Sequence, residues 1–301
     1  MILVTGSTGF IGQRLVNCLK QSGAGIKVLS RHQQESYDTI VCDLQKESVP
    51  DNALSGIEKI YHLAGFAHNL RDANKIEHLY QAVNVDATVK LAELAVHSGV
   101  KQFVFVSSVK AGASTVVKSC IGEEQGDPEG IYGKTKREAE LKLLEIGRQS
   151  DMHISIVRPA LVYGPNVKGN LRLMLSGIKK GWFPPLPETG NIRSMIHVDD
   201  LVRVLLFVID NDKTNGEIFI ATDGKSYSAH DIYEAICCVV GKSIPKWSVP
   251  KQLFDIIAMM GSRMKYKIDK LFGDEHYSSA KLESLGFKAQ KTLKDINETS
   301  F

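Results

Sequence analysis

The sequence predicts an α/β fold, a doubly wound parallel sheet with a smaller C-terminal α/β lobe. Three observations carry this reading. Short apolar runs at 2–4, 26–29, 39–42, 57–63, 102–106 and 154–157 read as strands, the first of them buried on both faces, and long helical-period segments follow several of them. A glycine-rich turn joins the first run to the first helical segment. Pro and Gly within 164–169 then mark a departure from the sheet.

The bulk numbers suit this class. A chain of 301 residues holds one large domain or a domain plus a smaller lobe. Its 43% hydrophobic and 24% charged residues are ordinary for a globular protein. A net charge of +3 argues against nucleic acid or an anionic membrane as the main partner. No window approaches the ~20 apolar residues of a membrane span, and strand-like residues from Ile2 leave no signal core, so no membrane insertion and a cytoplasmic location are expected. The five cysteines, Cys18, Cys42, Cys120, Cys237 and Cys238, fit no zinc spacing and read as reduced, mostly buried thiols, and no metal site is expected.

The first strand feeds Thr5-Gly6-Ser7-Thr8-Gly9-Phe10-Ile11-Gly12, after which Phe10, Ile11, Leu15, Val16 and Leu19 recur with helical spacing. Strand, glycine turn and helix together suit a dinucleotide. Gly6 permits the turn, Gly9 admits a pyrophosphate to the N–H groups of the helix N-terminus, and Gly12 lets helix and strand pack closely. Thr8, Phe10 and Ile11 complete the loop.

An acidic residue at the end of the second strand holds the ribose hydroxyl of NAD. Here Ser30-Arg31 stands there, and Arg31 suits a 2′-phosphate, which favours NADP(H) over NAD(H). After the third strand, Asp43 either accepts from an adenine amino group or caps a short helix, and Leu44 follows it. The fourth strand ends in His62-Leu63-Ala64-Gly65, where the small residues Ala64 and Gly65 beside Leu63 let a cofactor lie against the sheet edge. His68 reads as a surface loop residue. A helix over 76–97 carries Asn84 on its inner face, where it either anchors a neighbouring loop or orders the site; the second role is preferred.

The fifth strand ends at Ser107-Ser108, where the Ser108 hydroxyl can polarise a substrate oxygen. Tyr132 and Lys136 are one helical turn apart on a common face. An ammonium nearby lowers a phenol's pKa from about 10. The pair can then exchange a proton with a carbonyl or alcohol oxygen, while a nicotinamide moves the hydride.

These motifs, with Asn84-Val85 and Arg158-Pro159-x-x-x-Tyr163-Gly164-Pro165, come in order from residue 2 to about 222. Together they resemble the extended short-chain dehydrogenase/reductases of the NAD-dependent epimerase/dehydratase type. The resemblance implies a Rossmann domain, a bound dinucleotide and a nucleotide-sugar substrate. It implies catalysis by Ser108, Tyr132 and Lys136, with Asp43, Leu44, Asn84 and Pro159 beside the cofactor and Asn170 and Arg193 beside the substrate diphosphate.

Two departures bear on the reaction. Family 4,6-dehydratases carry Asp-Glu after the active-site Ser/Thr, and here Val109-Lys110 stands there. Family 4-epimerases carry Asp at the end of the second strand, and here Ser30-Arg31 stands there. The runs 106–112 and 191–195 also resemble the bacterial branch that reduces 4-keto-6-deoxy-N-acetylhexosamine nucleotides for surface polysaccharide. The expectation is therefore NAD(P)H-dependent reduction of a UDP-4-keto-6-deoxy-N-acetylhexosamine. The alternatives are a 4-epimerase of the UDP-glucose or UDP-N-acetylglucosamine type and a non-catalytic nucleotide-binding regulator.

The expected domains are a Rossmann unit over 1–163 plus about 192–225 and a substrate lobe over about 164–191 plus 226–301. Within the lobe, 182–187 reads as a stiff apolar loop, and two helices are expected near 230–240 and 251–260. Asp199 is expected to cap a helix over 201–209. Arg263 is a further residue that the resemblance sets against the diphosphate. A homodimer through the helices after Ile76 and Tyr132 is implied by the resemblance as well.

Overall fold

The computed structural model describes residues 1–67, 76–112 and 126–295, without the side chains of 263 and 294. Seven strands form one parallel sheet: β1 (Ile2–Thr5), β2 (Ile26–Ser30), β3 (Asp38–Val41), β4 (Lys59–His62), β5 (Gln102–Val106), β6 (His153–Pro159) and β9 (Glu217–Ala221), in the order β3-β2-β1-β4-β5-β6-β9. The order reverses at β1, with β2 on one side and β4 on the other. At such a switch point the strand ends diverge and leave a crevice at the carboxyl edge, where ligands of open α/β sheets bind.

Strand alternation sorts the apolar side chains into two cores. Leu3, Ile60, Phe103, Phe105, Ile154 and Ile156 face α3 (Ala87–His97) and α4 (Gly130–Arg148), whose Leu91, Ala95, Ala139 and Leu143 fill that layer. Val4, Tyr61, Val104, Val106 and Val157 face α1 (Phe10–Gln21) and α6 (Val198–Ile209), which supply Leu15, Val16, Leu201, Val204 and Val208. Both faces are therefore covered, the condition a parallel sheet needs.

A second sheet has three strands. β8 (Arg193–His197) lies between β7 (Leu161–Tyr163), parallel to it, and β10 (Ser226–Tyr227), antiparallel to it. A third apolar cluster joins Tyr163, Met195 and Tyr227 from this sheet to α5 (Gly169–Lys180), α7 (Ala229–Val239), α8 (Lys251–Met259) and α9 (Ser262–Phe272). The short α10 (Ala280–Ser284) places Leu282 in the second core instead.

Several elements differ from the sequence reading, each for a local reason. The helix expected over 76–97 is three segments: α2 (Glu77–Gln81), a π-helical turn (Ala82–Asp86) and α3. Asn84 stands at the centre of the wide turn, which lets its buried side chain bond outside its own helix. The cap of α6 is His197 rather than Asp199: the His197 ring accepts from the Asp199 N–H at 3.2 Å. Asp199 pairs instead with Lys291 at 2.6 Å. Helix α9 was not anticipated, because its basic residues obscure its helical period. Of the cysteines, Cys42 and Cys237 are buried, Cys18 is half-buried and Cys238 is exposed, while Cys120 lies outside the described residues.

Candidate active site

The glycine loop is built by close approach. Gly6 has φ +70°, and a Cβ there would sit 2.7 Å from the Ala64 nitrogen. A Cβ on Gly12 would lie 2.1 Å from the Gly6 carbonyl oxygen, so that position admits no larger residue without moving α1. Helix α1 starts at Gly9 with no side-chain cap and no acidic residue in its first turn. Its N–H groups are thus left for an anion. The buried Ser7 hydroxyl beside them has no partner among the described residues. An uncapped helix end, a cradle that a Cβ would fill and an orphaned hydroxyl fit the pyrophosphate of a dinucleotide.

Around this loop, Thr8 is exposed and Phe10 and Ile11 are half-buried. Arg31 is exposed past the end of β2 and forms no ion pair among the described residues. Asp43 closes a turn, its Oδ1 accepting from the Gln45 N–H at 3.1 Å. No helix follows it directly, so the short-helix cap weighed from the sequence is a turn here, and the bond uses one carboxylate oxygen. Leu44 packs on the first core, Leu63 packs on the second, and Pro159 is buried at the end of β6.

His62 is buried between two threonines, with Nδ1 2.7 Å from the Thr5 hydroxyl and Nε2 2.8 Å from that of Thr88. Thr5 Oγ1 also accepts from the Ala64 N–H at 3.1 Å, so β1, β4 and α3 are tied together beneath the glycine loop. Burial, aided by the charge of Lys136, pushes His62 down to about 3, so the ring is neutral at ordinary pH. It holds the site together and carries no charge.

Ser108, Tyr132 and Lys136 converge at the carboxyl edge of β5. Ser108 caps a 3₁₀ turn (Val109–Ala111), its Oγ accepting from the Lys110 N–H at 3.2 Å. The same hydroxyl is hydrogen-bonded to the Tyr132 phenol. The first turn of α4 is brought there by Gly133, where a Cβ would lie 2.1 Å from the Lys110 carbonyl oxygen. The sequence reading missed Gly133, although a glycine between Tyr132 and Lys136 on a helix was a visible signal.

Lys136 is buried, donates to the Val106 carbonyl at 2.9 Å and lies 4.4 Å from the Phe105 ring centroid. A Cβ at Gly65 would come within 3.2 Å of its ammonium, so glycine there leaves room for the Lys136 side chain. Asn84 bonds both the loop after β4 and the start of α4. Its amide accepts from the Phe66 N–H at 2.7 Å, donates to the Phe66 carbonyl at 3.1 Å, and donates to Thr135 Oγ1 at 3.1 Å. One side chain thereby anchors the loop after β4 to the turn that carries Tyr132.

The electrostatics correct one expectation. Tyr132 is not lowered: burial pushes it up to about 12, against the opposing Ser108 hydrogen bond. Lys136 is pushed down to about 8, again by burial, with Glu140 opposing. Desolvation of the phenol outweighs the Ser108 hydrogen bond, and the neighbouring Tyr80 adds to the rise. Without a cofactor the phenol therefore keeps its proton at neutral pH. Behind them Arg158 forms a buried bidentate pair with Glu140, at 2.8 and 2.5 Å.

On the substrate-lobe side, Asn170 is exposed in the first turn of α5. Arg193 is buried in β8, pairs with Glu275 at 3.5 Å and keeps an unpartnered Nε among the described residues. Glu275 also binds Lys110 at 2.7 Å, and Glu129 binds it at 2.9 Å. The ammonium that stands in place of a dehydratase carboxylate is thus held by two acids. Trp182 is exposed, whereas Phe183 stacks on Tyr233. His68 and the Arg263 side chain lie outside the described residues.

The comparisons agree with this geometry. The sequence matches the NAD dependent epimerase/dehydratase family over residues 2–221. It is 32% identical to a UDP-glucose 4-epimerase of Vibrio cholerae, over 98% of this chain and 92% of that one. It is 27% identical to the N-acetyl-alpha-D-glucosaminyl-diphospho-ditrans,octacis-undecaprenol 4-epimerase of Escherichia coli O157:H7, over 97% and 91%. The fold matches that of the Thermus thermophilus UDP-glucose 4-epimerase in complex with NAD, with a TM-score of 0.77, 20% identity and coverage of 99% and 97%. These relatives are 4-epimerases, which favours the alternative reading over the keto-reductase. The Rossmann-type sheet, the dinucleotide loop and the extent of these matches lead to one conclusion: the chain belongs to the NAD-dependent epimerase/dehydratase family and is an NAD-dependent enzyme of that family.

Proposed function

We propose that the protein is a nucleotide-sugar 4-epimerase acting on a UDP-hexose or UDP-N-acetylhexosamine with bound NAD. The observation that carries the reading is the Ser108–Tyr132–Lys136 group at the edge of β5, within reach of the same crevice as the glycine loop. The 4-epimerase names of the relatives support it.

In this reading Gly6, Thr8, Gly9, Phe10, Ile11 and Gly12 hold the pyrophosphate, while Asp43, Leu44, Leu63, Ala64, Gly65 and Pro159 line the rest of the cofactor. Asn84 acts as a positioning residue. When bound, the nicotinamide accepts and returns hydride, and its oxidised form carries the positive charge that lowers a neighbouring phenol's pKa. Ser108 hydrogen-bonds the C4 oxygen and Tyr132 exchanges its proton with it. Lys136, near 8, carries a charge that varies in the neutral range and steadies the phenolate. The 4-keto sugar turns in the cleft to present its opposite face, and its C4 oxygen takes the proton back from Tyr132. The substrate lobe, with Asn170 and Arg193, grips the diphosphate; the Arg193 Nε, without a partner among the described residues, supports this role. The domain boundaries given above and a homodimer through the helices after Ile76 and Tyr132 are part of the same proposal, and sedimentation equilibrium tests the dimer.

One observation favours a second reading, NADPH-dependent reduction of a 4-keto sugar: the exposed Arg31, without an ion pair among the described residues, where epimerases carry Asp. Two measurements separate the readings. The epimerase releases NAD on denaturation and interconverts UDP-sugars at C4 with no added cofactor. The reductase consumes NADPH in step with a 4-keto substrate. In that case Arg31→Ala lowers the NADPH/NADH affinity ratio by about tenfold or more, the loss of a charge-assisted pair.

A further inference from the structure

The stretch 242–272 is unlike the rest of the molecule. It holds seven basic residues and two acidic ones, a charge of +5, whereas the remaining chain carries −2. Among the described residues, eight of the fourteen large exposed hydrophobic residues also fall between 244 and 266. Scattered exposed apolar residues are ordinary, but a cluster of this kind marks an interaction surface.

Core packing does not account for the cluster. Helix α8 points Phe254, Ile257 and Ala258 inward, and Phe254 meets Phe272 of α9 at 5.0 Å between ring centroids. Its outer face carries Leu253, Ile256 and Met260 at helical spacing, 49%, 57% and 78% exposed, beside Met259 at 85%. Trp247 precedes them at 65% and Tyr266 follows at 61%. Lys246, Lys251, Lys265 and Lys267 are exposed around this apolar strip.

We propose that α8, α9 and the segment leading into them form a peripheral docking surface for an anionic lipid bilayer. The apolar strip enters the boundary between headgroups and acyl chains, and the lysines pair with lipid phosphates. The helices are 9 and 11 residues long, and no helix among the described residues is long and apolar enough to cross a membrane, so the contact lies on the surface. Charge decides against a second copy of the chain as the occupant. A two-fold interface sets the same patch against itself, and here that would oppose two +5 surfaces. The whole-chain charge of +3 hides the patch because the rest of the molecule offsets it. Beyond α9, Glu275 binds Lys110, so the docking surface adjoins the rim of the active site. This inference goes beyond the epimerase reading and does not depend on it.

Flotation of the full chain with vesicles tests it. The wild type is expected to float with phosphatidylglycerol–phosphatidylcholine vesicles, to stay behind with phosphatidylcholine alone, and to be released by added salt. Lys265→Ala/Lys267→Ala weakens binding about 25-fold, at about fivefold per lysine. Ile256→Asp/Met260→Asp abolishes it while circular dichroism and turnover of a soluble UDP-sugar stay unchanged. Failure of the wild type to float with anionic vesicles overturns the proposal, as does equal binding by both variants. A dimer in sedimentation equilibrium that the Asp variant splits, without vesicle binding, assigns the face to a second copy instead.

Discussion

At Tyr132 and Lys136, burial moves two pKa values in opposite directions, the phenol up and the ammonium down. The four-residue spacing was legible in the sequence; the sign of the phenol's shift was not, because it depends on how deeply the folded chain buries the hydroxyl. Tyr132→Phe is expected to lower turnover by about 10²–10⁴-fold, the worth of a positioned acid–base group, while bound NAD, released by denaturation and quantified, stays at the wild-type level. Loss of NAD as well would make Tyr132 a cofactor-holding residue first. His62 yields a second test. The folded ring stays neutral down to about 3, whereas the unfolded chain takes the proton near 6.5. Between these values the unfolded state binds more protons, so the stability is complete above about 6.5 and falls as pH drops toward about 3. The slope is about 1.4 kcal/mol per pH unit from this one group. Urea denaturation across that window should show His62→Gln with a shallower pH dependence by that amount. An unchanged slope would mean the ring is protonated in the folded protein.

Among the elements, the contacts that assemble the site are made by residues with no chemistry of their own. Gly133 lets the first turn of α4 press on the Lys110 carbonyl, and the π-helical turn aims Asn84 at Phe66 and Thr135. Strands and helices came through in the sequence because apolar period reports burial. The wide turn did not, since one extra residue within a helical pattern leaves the period almost unchanged. The His197 cap of α6 was missed because Asp199 carries the more familiar capping side chain. Gly133→Ala is predicted to displace α4 from Ser108. The expected result is a loss of kcat of about tenfold or more with KM for the UDP-sugar little changed, as for an interaction made in the transition state. Equal falls in NAD retention and kcat would place the damage in the cofactor site instead.

Over the whole molecule, a seven-stranded sheet with its switch point at β1 meets a second lobe whose core is built from α5, α7, α8 and α9. The glycine loop and the Ser108 edge open on the same side of the sheet, and the ion-pair chain Lys110–Glu275–Arg193 joins that edge to the lobe. Fold and family were legible because the motifs at Gly6, Ser108, Tyr132 and Arg158 keep their order along the chain. The reaction was harder to read. Arg31 drew the sequence reading toward NADPH and reduction, yet one exposed side chain past β2 weighs less than relatives that are 4-epimerases. Epimerase and reductase share the same proton donor, so they differ in where the hydride ends, which local residue patterns do not encode. Proton NMR of UDP-N-acetylglucosamine and UDP-glucose, each incubated with the purified protein and no added nucleotide, decides between the two reactions. The C4 epimer of at least one sugar is expected to grow to equilibrium, and Tyr132→Phe to abolish its appearance. No epimer from either sugar, with NADPH consumed on a 4-keto sugar instead, would contradict the epimerase reading.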